Sequence, residues 1–123
     1  VECAVFGNHA AKASVLGEIV PKKEFYDYEA KYEDDSTDLY IPARIPAETA
    51  DLVRELALAA FESLGCEGLA RADFFVQDDG IILNEVNTLP GFTGISMYPK
   101  LMMEGGISPY DLVGGLIELA FQK

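Results

Sequence analysis

An α+β fold, a mostly antiparallel sheet covered by helices within one domain over residues 1–123, is what this sequence of 123 residues predicts. Three observations carry the prediction. Two apolar, strand-like arms, Gly68 to Gln77 and Ile81 to Asn87, are joined by Asp78-Asp79-Gly80, a loop that suits an antiparallel hairpin. Apolar residues between Ala47 and Leu64 recur every three or four positions, the period of an amphipathic helix. Ser108-Pro109 then opens a second apolar helix with a cap residue and a proline at its first position. A chain of this length can bury one core and not two.

Composition narrows the function classes. Twenty-one acidic against 9 basic residues give a formal charge of -12, which argues against nucleic acid as a partner, since that would call for a basic face. No apolar run reaches the ~18 to 20 residues of a membrane span, and Val1 opens directly into strand-like sequence without a signal-peptide pattern. Cys3 and Cys66 are the only thiols and have neither metal-type nor disulfide-framework spacing. The expectation is a protein of the reduced cytoplasm with no membrane contact, and two cysteines that act as small apolar packers.

The elements follow in order. Glu2 to Gly7 reads as an inner strand closed by the turn pair Gly7-Asn8, and Gly17 to Val20 as a strand end before Pro21. Phe25 to Tyr32 alternates aromatic and charged residues and runs into the acidic, turn-rich stretch from Glu33 to Asp38. Lys31 and Tyr32 at the base of that stretch are candidates for a lid over bound phosphate; a plain solvated loop has the same composition. Leu39 to Ile45 is a short extended piece. In the helix from Ala47 to Leu64, the residues Val53, Leu56, Ala57, Ala60, Phe61 and Leu64 form the expected buried stripe, with Gly65 as the stop. After the hairpin, Pro90-Gly91 fits a type II turn whose amides can act as oxyanion donors. Ser96 to Met103 reads as a short helix ending at Gly105-Gly106, its methionines filling core. The last helix, with Leu112, Val113, Leu116, Ile117, Leu119 and Ala120 packing, is expected to close the back of the sheet.

The hairpin carries the chemistry. A three-residue loop pairs Gln77 with Ile81, hence Phe75 with Leu83, Asp73 with Glu85 and Arg71 with Asn87, so that Arg71, Asp73, Phe75, Leu83, Glu85 and Asn87 share a face. Directly opposed carboxylates destabilise a sheet, so Asp73 and Glu85 call for a cation between them, with Asn87 as a neutral oxygen ligand. Oxygen donors of this kind suit magnesium, which proteins hold with one or two carboxylates plus substrate phosphates; a nucleotide is then the natural partner. A solvated hairpin fits the spacing too, and a two-residue turn would send the two strands' side chains to opposite faces.

Four stretches in order, Phe25-Tyr26-Asp27-Tyr28-Glu29-Ala30-Lys31-Tyr32, Arg71-Ala72-Asp73, Asn84-Glu85-Val86-Asn87-Thr88-Leu89-Pro90-Gly91-Phe92-Thr93 and Ser96-Met97-Tyr98-Pro99, resemble the C-terminal third of D-alanine-D-alanine ligases, enzymes of the ATP-grasp fold. The resemblance implies a cytoplasmic enzyme, homodimeric when intact, that uses ATP and D-alanine. ATP phosphorylates one D-alanine carboxylate, and the amine of a second attacks the acyl phosphate to give the dipeptide for peptidoglycan. Carried over by position, Asp73, Glu85 and Asn87 would ligate two Mg2+ (or Mn2+) ions. Arg71 and the Gly91 amide would hold the oxyanion, Ser96 would bind the second substrate's carboxylate, and Lys31 and Tyr32 would belong to the closing loop. Phe25, Lys31, Leu83 and Glu85 would lie along the nucleotide. D-lactate- or D-serine-adding ligases of the same family, and a non-catalytic acidic metal-binding module, are the alternatives. The first-substrate domain and the glycine-rich, lysine-bearing part of the nucleotide grasp would lie upstream of Val1, so the fragment alone is expected to be inactive.

Overall fold

The computed structural model describes residues 1–21 and 37–122. A five-stranded sheet is built from β1 (Glu2–Gly7), β2 (Lys12–Pro21), β3 (Thr37–Tyr40), β4 (Gly68–Gln77) and β5 (Gly80–Asn87), in the order β3-β2-β1-β4-β5. Every neighbouring pair is antiparallel. β1 is the central strand, as its apolar run leads one to expect, and Cys3, Ala4 and Val5 are fully buried. β2 extends further toward the N-terminus than the short apolar piece read from the sequence. The Leu39–Ile45 piece is a strand only through Tyr40.

Alternation along β1 and β4 sends successive side chains to two separate cores. On one face Cys3, Val5, Ala70, Ala72 and Phe74 pack with Val53, Ala57 and Phe61 of helix α1 (Ala47–Ser63). On the other, Ala4 packs with Met97, Tyr98 and Leu101 of α2 (Met97–Glu104) and Leu112 of α3 (Pro109–Phe121). The sheet is therefore covered on both faces, and α3 lies with α2 opposite α1.

The helix signals hold in kind, with corrections in detail. Gly65 stops α1 at φ +68, and the Ser108 hydroxyl accepts from the Asp111 N–H at 3.1 Å. The buried stripe of α1 is narrower than expected: Leu56 and Leu64 are exposed, because the sheet is reached by the turn positions of Val53, Ala57 and Phe61. In α3 only Leu112 is fully buried, while Val113 and Ile117 are about half exposed; a single sheet face cannot cover a helix that is apolar all round. Of the methionines, Met97 is buried and Met103 is exposed.

Side chains of α2 pack directly over Gly17 in β2. A Cβ there would lie 2.8 Å from Met97 Sδ and 3.0 Å from Leu101 Cδ2. Gly17→Val is expected to force the helix away and to lower unfolding free energy by roughly 1–3 kcal/mol, read from urea titrations. Cys3 gives a second test. Burial pushes its thiol up to about 11 from an ordinary 9.0, so it stays protonated in the fold while the unfolded thiol ionises. Its contribution to stability is therefore complete below pH 9 and is lost as pH rises toward about 11. In Ellman titration at pH 8, one thiol, Cys66, is expected to react readily, and Cys3 only after denaturant is added.

Candidate functional site

The hairpin holds its predicted charged pairs by an unpredicted route. Arg71 opposes Asn87 and Asp73 opposes Glu85, but beyond Asp73 the register slips: Phe74 opposes Leu83, Phe75 opposes Ile82 and Gln77 opposes Gly80. The turn is thus the two-residue Asp78-Asp79, and neither of these nor Gly80 has positive φ. Asn84 is the extra residue of a β-bulge, which restores the register that the shorter turn would have broken. The expected left-handed Gly80 and the Phe75–Leu83 pair are corrected accordingly. Leu83 lies across from Phe74, and Asn84 lines the neighbouring cavity instead.

Arg71 is the centre of the site and is only 5% exposed. Its Nε and Nη2 donate to Asp73 Oδ1 and Oδ2, both at 2.9 Å, a bidentate pair between residues two apart on one strand. Glu2 Oε1 on β1 lies 3.0 Å from the same Nε, and Glu85 Oε1 on β5 lies 3.9 Å from Nη2. Because β1 pairs Glu2 with Asp73, three carboxylates, Glu2, Asp73 and Glu85, form one row across three strands. Glu2 and Asp73 are buried, and the Glu85 side chain is half exposed. Burial alone would pull the Arg71 pKa down; the Asp73 hydrogen bonds and the charges of Glu2, Asp73 and Glu85 outweigh it and hold the guanidinium above the usual arginine range. Glu2 was not among the residues singled out from the sequence. Its alternation with Ala4 in a strand that pairs with β4 is the only sequence signal, and that pairing is non-local.

Beside the row a cavity of about 330 Å³ is lined by Val1, Ile19, Pro21, Phe75 and Asn84 together with the three acids. Asn87 accepts from the Leu89 N–H through Oδ1 at 3.2 Å, which leaves that oxygen a second lone pair. Asp73, Glu85 and Asn87 are hard oxygen donors on one sheet face and fit magnesium in kind. No group of three His, Cys, Asp or Glu side chains is gathered around one point among the described residues, so an ion here would take its remaining ligands from phosphate or water.

The loop after β5 departs from the type II turn expected at Pro90-Gly91, because Gly91 lacks positive φ. A different contact favours a small residue there. A Cβ would come within 2.8 Å of Ser96 Oγ. Ser96 occupies the N-cap of α2 yet makes no side-chain cap. Its hydroxyl instead accepts from the Thr93 N–H at 3.0 Å and shares a hydrogen bond with Thr93 Oγ1 at 2.7 Å. Gly91 and Ser96 are thereby brought together. Phe25, Lys31 and Tyr32 lie outside the described residues.

A family model described as D-ala D-ala ligase C-terminus matches residues 1–118. D-alanine–D-alanine ligases of Oceanobacillus iheyensis and Acetivibrio thermocellus are 54% and 52% identical over 125 residues, covering all of this chain and 34% and 33% of those proteins. The chain thus spans about a third of the length of these curated relatives. Among solved structures, the D-alanine-D-alanine ligase of Coxiella burnetii superposes with a TM-score of 0.83 at 38% identity, over 98% of this chain and 31% of that one. The VanG D-Ala:D-Ser ligase of Enterococcus faecalis does so with a TM-score of 0.82 at 40% identity, over 96% and 35%.

Arg71→Met removes the cation from between two buried carboxylates and is expected to lower stability by about 3–5 kcal/mol at neutral pH. Urea unfolding of the variant and the parent at about pH 7 checks this.

Proposed function

The chain belongs to the D-alanine–D-alanine ligase C-terminal family, and from that premise we propose that it serves as the C-terminal part of an ATP-dependent, ADP-forming ligase of the ATP-grasp type. The reaction joins two D-alanines for peptidoglycan synthesis. The first D-alanine carboxylate attacks the γ-phosphorus of ATP, its oxygen takes the phosphoryl group and ADP leaves. The amine of the second D-alanine attacks the carbonyl carbon of the acyl phosphate, loses a proton, and phosphate departs as the tetrahedral oxyanion collapses.

The residues have separable roles in this reading. Arg71 and the Gly91 N–H stabilise the oxyanion, where fixed donors aimed at developing charge are most effective. Asp73, Glu85 and Asn87 would hold two magnesium ions, or manganese in their stead, whose charge offsets that of the ATP phosphates. Ser96 binds the carboxylate of the second D-alanine, its hydroxyl aligned by Thr93. Lys31 and Tyr32 belong to a loop that closes over the nucleotide, and Phe25 borders the base. On the base side Asn84 replaces Leu83 as the contact from β5, since Asn84 lines the cavity. The observation that carries the reading is the buried Arg71–Asp73 pair facing Glu85 across the hairpin, in a chain of this family.

A cation site coupled to nucleotide predicts that manganese binds more tightly when ATP is present. In calorimetric titrations, Asp73→Asn and Glu85→Gln should each weaken Mn2+ binding roughly 10- to 100-fold and remove the effect of ATP. Equal weakening with no nucleotide dependence would instead identify a plain acidic metal-binding module. The isolated chain should form no dipeptide. In the complete ligase, competition among D-alanine, D-serine and D-lactate as acceptors decides the last step, and the D-Ala:D-Ser ligase among the structural neighbours makes D-serine the comparison that matters.

A further inference from the structure

Glu2 is the one buried acid of the row that none of these roles uses. It is 6% exposed, its strand partner is Asp73 on one side and Gly17 on the other, and its Oε1 is 3.0 Å from Arg71 Nε. We propose that Glu2 is a positioning residue for Arg71, fixing from β1 the direction in which the guanidinium is presented to the reacting oxygens. The inference rests on the ligase reading given above and deepens it.

Asp73 alone can do little to fix the direction of Arg71. Asp73 sits two residues from Arg71 on the same strand and grips the Nε–Nη2 edge; both side chains spring from one backbone, so the pair can tilt together. A second negative charge on a different strand removes that freedom. Ala4, directly across from Arg71, offers only a methyl group, which leaves room for the guanidinium to lie toward Glu2. Gly17, beyond Glu2, contributes no side chain of its own to the row. Polyphosphate competes for guanidinium groups, and a single carboxylate would have to hold Arg71 against it. Two carboxylates on one edge hold Arg71 in register and leave its Nη1 group outside the bidentate pair.

Glu2→Gln keeps the shape and removes the charge. In the complete ligase carrying this chain it should lower kcat roughly 10- to 100-fold, as misplacement of a catalytic donor does, while KM for ATP and for D-alanine changes less than about threefold. Glu2→Asp should recover part of the loss. In an Arg71→Met background, Glu2→Gln should have no further effect on the residual rate, because a positioning residue acts only through what it positions. A kcat within about twofold of the parent overturns the inference, as does an equal loss in both backgrounds, which marks a purely structural role. If Glu2→Gln does not fold, Glu2→Asp, which retracts the carboxylate by one methylene, is read by the same criteria. Should Arg71→Met itself leave the rate intact, the ligase reading falls and this inference with it; a neutral Glu2→Gln beside a crippling Arg71→Met removes only the inference.

Discussion

A guanidinium buried inside a sheet is the constraint on which the site depends. Removing a charge from water costs several kcal/mol per ion even after relaxation, and here the cost is offset by a bidentate pair on the same strand and by carboxylates on both neighbouring strands. No single strand could supply that arrangement. The row of Glu2, Asp73 and Glu85 exists only once β1, β4 and β5 are in register. The change of character along this face is abrupt. Phe6 pairs with Leu69, and both pack on the core under α2 and α3; one step further Ala4 pairs with Arg71; one step further still Glu2 pairs with Asp73. Apolar packing ends and the charged site begins within two residue pairs.

The bulge at Asn84 explains how a short turn and a functional register coexist. Two turn residues set one pairing near Gln77 and Gly80, while the acids need another. An extra residue in β5 absorbs the difference, so the two ends of the hairpin are specified independently. It also changes which side chain meets the cavity, exchanging a leucine for an amide that can donate and accept hydrogen bonds. Bulges recur beside active sites for this reason: they re-aim a side chain without disturbing the strands around it.

Much of this was legible from the chain and some was not, and the division follows the range of the interactions. Local signals read correctly: the Ser108 cap, the Gly65 stop, the hairpin and the opposition of Asp73 to Glu85 depend on residues close in sequence. The Asn84 bulge was hidden because a two-residue turn plus a bulge and a three-residue turn without one give the same pairing at Asp73. Glu2 was hidden because its partners are about seventy positions away; a glutamate opening an apolar strand looks like any solvated strand end. Gly91 was identified for its amide, but its conformation was misread. What crowds a side chain there is the approach of the Ser96 hydroxyl, a contact across a loop, rather than a left-handed turn. The exposed flank of α3 was misjudged for a related reason, since periodicity shows that a face is apolar and not how wide a surface is available to bury it.

The same acids that hold Arg71 also set the terms on which the site could meet phosphate. A guanidinium carries five N–H donors, and Asp73 takes one from Nε and one from Nη2. The remaining donors are what an incoming oxyanion can use, and they lie among carboxylates in a chain whose formal charge is -12. Free polyphosphate would meet repulsion there before it met a donor. A cation held by Asp73, Glu85 and Asn87 reverses that field at short range, so under the ligase reading metal and nucleotide must arrive as linked events rather than independent ones. That linkage follows from the number and sign of the charges on three strands. It separates a site built for metal-bound nucleotide from an acidic surface that merely attracts cations.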